Sequence, residues 1–136
     1  MSILVIEGII FGYFIGDRIG GHGMEKQFEK LKEYLNMDTE IPFDEFSSYY
    51  KDLIQTLNTT FEEMNQDARL KARYACSIVQ ANAESRVKRD KKNAKAYRKI
   101  MEKTAFWSNA INYRLLKDGM QQSEIDEAIE EINDSI

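Results

Sequence analysis

The sequence predicts an all-α protein, a helical bundle built around a long antiparallel helical hairpin and preceded by a further N-terminal helix. Three observations carry this. Neither glycine nor proline occurs between Phe43 and Asp118, and a breaker-free span of that length reads as helix, in one or several pieces. Apolar residues recur through it at steps of three and four, the spacing of one helix face. Of the seven glycines in the chain, four are Gly8, Gly12, Gly16 and Gly20, one every fourth residue.

The glycine run begins in an apolar stretch, residues 3–15, interrupted only by Glu7, Gly8 and Gly12, and continues past it to Gly20. On a helix its glycines share one face and leave a groove without side chains. Glycine costs about 1 kcal/mol per helix position relative to alanine, so four cost roughly 3–4 kcal/mol. A second backbone lying in the groove, or a lipid surround, offsets that cost. A strand pair formed by 3–6 and 9–15 is the competing reading, since β-branched residues are frequent there, but a period of four is not a strand period. The expected role of Gly8, Gly12, Gly16 and Gly20 is self-association into a homo-oligomer.

The segment Gly-x3-Gly-x3-Gly-Asp-Arg-Ile-Gly-Gly-His-Gly, within residues 8–23, resembles the glycine-zipper segments of bacterial membrane and surface proteins. The resemblance implies close helix–helix association, often within a membrane, and stops at residue 23. It divides the chain into a glycine-zipper helix and hinge, 1–23, and a helical domain, 24–136. Membrane contact is expected through residues 2–21, with a buried interface helix in a protein assembly as the alternative. The apolar run is shorter than the roughly 20 residues that span a bilayer. Arg18, Lys26, Lys30 and Lys32 follow it and no basic residue precedes it; by the positive-inside rule the helical domain then faces the cytoplasm. No signal peptide is expected. The expected location is the cytoplasm or the cytoplasmic face of the inner membrane, without secretion.

Gly20-Gly21-His22-Gly23 reads as a breaker and hinge. Residues 24–35 form an amphipathic helix with Met24, Phe28, Leu31 and Leu35 on one face. A loop follows, with Asp38 or Thr39 expected to cap the next helix and Pro42 to lie in its first turn. Phe43, Phe46, Tyr50, Leu53 and Leu57 make a heptad-like seam. Thr59 and Glu62 have the spacing of a capping box after a break at 58–60. Phe61, Met64, Ala68, Ala72, Ala75 and Val79 then continue a seam whose residues become small, which invites close approach of a partner helix. The hairpin is expected to run out over 61–88, turn at 90–93 and return over 94–117 with Tyr97, Ile100, Met101, Trp107, Ile111 and Leu115 inward. Gly119 ends the return arm, and a short helix restarts at 123–126 carrying Ile125, Ala128, Ile129 and Ile132.

Charge divides the chain into three. Residues 1–66 hold 5 basic and 12 acidic residues, residues 67–117 hold 14 and 4, and residues 118–136 hold none and 7. The densest cationic stretch is Arg86, Lys88, Arg89, Lys91, Lys92, Lys95, Arg98 and Lys99. These residues are candidates for binding phosphate or an acidic partner, whether an acidic protein surface, nucleic acid or lipid head groups. The alternative is a solvated helix turn balanced by the acidic tail of the same or a neighbouring subunit. Aromatic residues are not interleaved within the run, and Tyr97 belongs to the apolar stripe.

Little chemistry is expected elsewhere. His22 and Cys76 are the one histidine and the one cysteine, too few for a metal set or a Ser/His/Asp arrangement. Cys76 reads as a small core residue of a protein in a reducing compartment. No phosphate-cradling glycine loop follows a strand, and no cofactor is expected. The sequence therefore points to a non-enzymatic interaction or scaffold protein that self-associates through residues 3–20. The second reading is a nucleic-acid-associated helical protein acting through 86–99.

Overall fold

The computed structural model describes residues 20–136. Five α-helices occur among them: α1 (Gly20–Leu35), α2 (Phe43–Thr60), α3 (Gln66–Arg89), α4 (Ala94–Lys117) and α5 (Gln122–Asp134). No strand occurs among the described residues. The first three zipper glycines, Gly8, Gly12 and Gly16, lie outside the described residues.

The hairpin is where the sequence places it. Residues 90–93 turn the chain, and α3 and α4 make the most extensive interhelical contact of the fold. Three cross-hairpin bonds fix an antiparallel register: Arg86 to Tyr97 at 3.1 Å, Arg73 to Asn112 at 3.3 Å and Arg69 to Asp118 at 2.9 Å. The seam of α3 is small (Ala68, Ala72, Ala75, Val79 and Ala83, all buried). On α4 the buried stripe is Tyr97, Ile100, Thr104, Ser108, Ile111 and Leu115. Met101 and Trp107 are only half-buried. Thr104 and Ser108 take the centre of the stripe, because small residues keep the helices close; the Thr104 hydroxyl donates back to the Ile100 carbonyl at 2.7 Å.

The two preceding helices pack against this hairpin. α1 runs parallel to α3: Glu25 pairs with Lys71 at 3.1 Å, and the Phe28 ring meets Tyr74 edge-on at 6.3 Å. α2 returns antiparallel to α1 and alongside α4, with Phe43 and Phe46 at 5.3 and 5.5 Å from the Tyr97 ring near one end and Phe61, just past it, at 5.7 Å from Trp107. The arrangement is an up-down-up-down four-helix bundle. α5 closes it by burying Ile125 and bonding Tyr74 Oη to Asn133 Oδ1 at 2.8 Å. With α1, α4 and α5 around it, α3 is the central helix.

Several local expectations are corrected. The hinge at 20–23 is helical: α1 starts at Gly20 and runs across the boundary drawn between 23 and 24. A Cβ on Gly23 would sit 3.2 Å from Thr56 Cγ2, so this glycine permits close approach of α1 and α2 rather than a break. Leu35 stays 38 % exposed at the end of α1. Neither Asp38 nor Thr39 caps α2; Pro42 is itself the N-cap, in extended conformation. Tyr49 rather than Tyr50 is buried, because its hydroxyl has a partner inside, the Gln27 carbonyl at 2.9 Å. Thr59 makes no capping box: its hydroxyl bonds back to the Gln55 carbonyl at 2.8 Å. The chain instead passes through a short 3-10 turn, Phe61–Glu63, and Asn65 caps α3 by accepting from the Ala68 N–H at 2.8 Å. At the other end of the hairpin Gly119 has φ +115° and stops α4 as expected.

Candidate anion-binding tip

The cationic stretch becomes one end of the bundle. It comprises the last turn of α3, the turn 90–93 and the first turns of α4. Within 86–99 the one carboxylate is Asp90, and its oxygens are turned inward on the chain. Oδ1 accepts from the Asn93 N–H at 3.2 Å and Oδ2 from the Asn93 side-chain amide at 3.0 Å. Those bonds hold the Asp90 carboxyl below its ordinary range. Asp90 builds the turn and leaves the neighbouring cations unneutralised.

The eight candidate residues do not behave alike. Arg86 is buried, 4 % exposed. Its guanidinium lies 4.4 Å from the Phe46 ring centroid, donates to Tyr97 Oη at 3.1 Å and comes within 3.9 Å of Glu40. Arg86 therefore joins α2, α3 and α4 and is not a surface anion ligand, which corrects its place in the candidate set. Arg89 is exposed but engaged: both terminal nitrogens donate to Glu40, each at 2.8 Å. That fork holds the Glu40 carboxyl below its usual value. Lys88, Lys91, Lys92, Lys95, Arg98 and Lys99 are exposed and form no ion pair among the described residues.

The electrostatics favour an anion at this end. Basic residues in the last turn of α3 suit the negative end of its dipole. On α4 the logic reverses. Lys95 sits in the first turn, followed closely by Arg98 and Lys99, and that turn has no acidic residue and no side-chain cap bond from Asn93. A cation in the first turn, at the positive end of a helix dipole, costs about 0.3–1 kcal/mol, so the stability of α4 does not account for Lys95 there. The acidic tail does not answer the charge from within its own chain. α5 starts beside the far end of α4, and Asn133 reaches only Tyr74. Tyr74 is fifteen residues before Arg89, about 22 Å at helical rise. The balancing of the tip by the tail is thus corrected for a single chain; Glu40, from the loop before α2, is the one acid that reaches the tip.

Beside the tip, residues from α1, the loop 36–42, α2 and α3 line a cleft of about 240 Å³ with Leu31, Tyr34, Ile41, Phe46, Ile78 and Arg86 among its walls. Partial burial, with the Glu45 carboxylate nearby, pushes the Tyr34 hydroxyl up to about 12. Cys76 lies in the core, where burial pushes its thiol up to about 12, so it is an inert small residue as the sequence indicates. Among the described residues no group of three His, Cys, Asp or Glu side chains is placed to hold a metal ion. No helix among them is long and apolar enough to cross a membrane.

Beyond Lys99, α4 carries the further basic residues Lys103, Arg114 and Lys117. The helix carries six basic residues and a single acid, Glu102, over its whole length. Phe106 and Tyr113 are 60 % and 65 % exposed on it. Their seven-residue spacing from each other and from Lys99 was the sequence signal for a shared face. No known protein family, curated protein or solved structure matches this chain.

Proposed function

We propose that this chain is a non-enzymatic helical interaction protein whose cationic hairpin tip engages an anionic partner, and whose N-terminal segment joins copies through Gly8, Gly12, Gly16 and Gly20. The observation that carries the first half is the tip itself. Six exposed cations surround a turn whose only acid is committed to Asn93, and one of them, Lys95, stands in the first turn of α4, where a cation opposes the dipole. The four-residue glycine period supports the second half. The segment 2–21 makes the membrane contact, and the helical body works on the cytoplasmic side, consistent with the basic residues that follow the apolar run.

Retention on heparin, a polyanion with neither bases nor lipid, tests the tip. The quadruple variant Lys88→Gln, Lys91→Gln, Lys92→Gln, Lys95→Gln should elute at clearly lower salt than wild type. A control losing Lys26, Lys30 and Lys51, exposed lysines elsewhere, should elute near wild type. Equal shifts in both would reject a dedicated tip. Mass photometry tests the zipper: Gly12→Leu and Gly16→Leu should dissociate the oligomer and Ile9→Leu should not.

The second reading, a nucleic-acid-associated protein, gains support from one observation: the cationic character continues along α4 beside exposed aromatic rings.

A further inference from the structure

We infer that the outer face of α4 binds single-stranded nucleic acid, with Phe106 and Tyr113 stacking on bases while Lys95, Lys99, Lys103 and Lys117 hold the backbone. This rests on the proposed anionic partner and names it. At about 100° per residue, those six positions fall within about 80° of arc, so they form one stripe along the helix. All six are exposed. Phe106 and Tyr113 are the most exposed large apolar side chains among the described residues, and they stand about 10.5 Å apart along the axis. The Phe106 ring meets Trp107 edge-on at 6.0 Å; apart from that contact, both rings stand in water on the face opposite the buried stripe.

The stripe also contains a concave site. Tyr50 from α2 joins Lys99, Glu102, Lys103 and Phe106 around a shallow cleft of about 320 Å³. Two aromatic rings with two ammonium groups and one carboxylate, Glu102, offer a base two stacking surfaces and its phosphate a net positive charge. The Lys103 ammonium lies 6.0 Å from the Phe106 ring centroid, so charge and ring are presented together.

The face favours one class of anion. A base face must be uncovered to stack on a ring, which a single strand offers and a duplex does not. A bilayer requires a continuous apolar strip, whereas here the two rings occupy only the stretch between Lys103 and Lys117, with lysines at both ends of it. A sulfated or phosphorylated polymer would use the lysines and leave the rings without a role.

Fluorescence anisotropy of the full chain with a labelled twelve-nucleotide oligouridylate tests this, alongside a twelve-base-pair duplex and vesicles containing phosphatidylserine. The single strand should bind at least tenfold more tightly than the duplex. Phe106→Ala and Tyr113→Ala should each weaken single-strand binding by at least fivefold, with an unchanged salt slope and an unchanged melting curve because both rings are exposed. Phe106→Trp should retain binding. Lys99→Gln and Lys103→Gln should each reduce the log–log salt slope by about 0.7. Single-strand binding that is insensitive to both aromatic variants but lost in the quadruple tip variant would overturn the stripe and leave the tip intact. Loss of neither would overturn both. Binding to vesicles alone, sensitive to Phe106→Ala, would replace the nucleic acid with a membrane surface and refute the inference.

Discussion

The Arg86 guanidinium and the Tyr97 hydroxyl meet at 3.1 Å across the hairpin turn, in the buried end of the bundle. Phe46 stacks on the same guanidinium at 4.4 Å, and Phe43 and Phe46 both approach the Tyr97 ring edge-on. One charged group thus ties the turn of α3 and α4 to the start of α2. Tyr97→Phe removes the acceptor from a buried charged donor and should cost about 1.5–3 kcal/mol in urea unfolding. Arg86→Met should cost less than Arg86→Ala, since the methionine chain keeps its packing on Phe46. Equal losses in the two variants would show that the charge, not the packing, is what the site requires.

Glu40 makes the tip sensitive to acid. Its carboxyl is held below the ordinary value of 4.5 by the bonds from Arg89. The stabilisation it gives is therefore complete above the ordinary value and is lost as pH falls through the lowered one. Glu40→Gln should be less stable than wild type at pH 7, and the gap should close in acid below that window. The loss should be small, because the carboxylate is more than half exposed. Melting temperatures of both proteins across pH 2–7 measure it, and a gap independent of pH would contradict the ion-pair account.

The buried thiol and phenols act at the other extreme. Burial raises Cys76 from 9.0 to about 12 and raises Tyr49, and partial burial beside the Glu45 carboxylate raises Tyr34 from 10.0 to about 12. Groups whose folded values lie above their unfolded ones stabilise fully below the unfolded values and lose that contribution as pH rises past them. Stability should decline from pH 9 upward. Cys76 should be modified by a thiol reagent only as fast as the protein opens, and stoichiometric labelling of the native protein within seconds would contradict its burial.

Gly23 offers a test of how closely α1 and α2 pack. A Cβ there would lie 3.2 Å from Thr56 Cγ2, tighter than an ordinary contact. Gly23→Ala gains up to about 1 kcal/mol of helix propensity and loses part of it to that crowding. In a Thr56→Ser background, where the methyl is gone, the same substitution should stabilise more than in wild type. Equal effects in the two backgrounds would show that the contact carries no energy.

Much of the hairpin was legible in the sequence because its signals are local. Helical spacing, the absence of breakers and Gly119 give the two arms, the turn 90–93 and the stop after Lys117. What was not legible depends on partners distant in sequence. Tyr49 is inside rather than Tyr50 because Gln27 offers a carbonyl twenty-two residues away. Gly20, Gly21 and Gly23 continue a helix because α2 packs against it. Arg86 looked like a surface cation in a basic run, and only the convergence of Phe46, Tyr97 and Glu40 puts it in the interior. The exposed ring stripe on α4 was readable by period, but apolar residues at helical spacing ordinarily mark a core, and the core face is the opposite one.

The cationic tip is tested most directly by the salt dependence of binding to linear polyphosphate, which has neither bases nor lipid. Six unpaired cations acting on a single-stranded polyanion should give a log–log slope of about −4. In the variant lacking Lys88, Lys91, Lys92 and Lys95, the slope should fall to about −1.4 with helicity unchanged. A wild-type slope near zero, or the same slope in both proteins, would contradict the tip as the binding site.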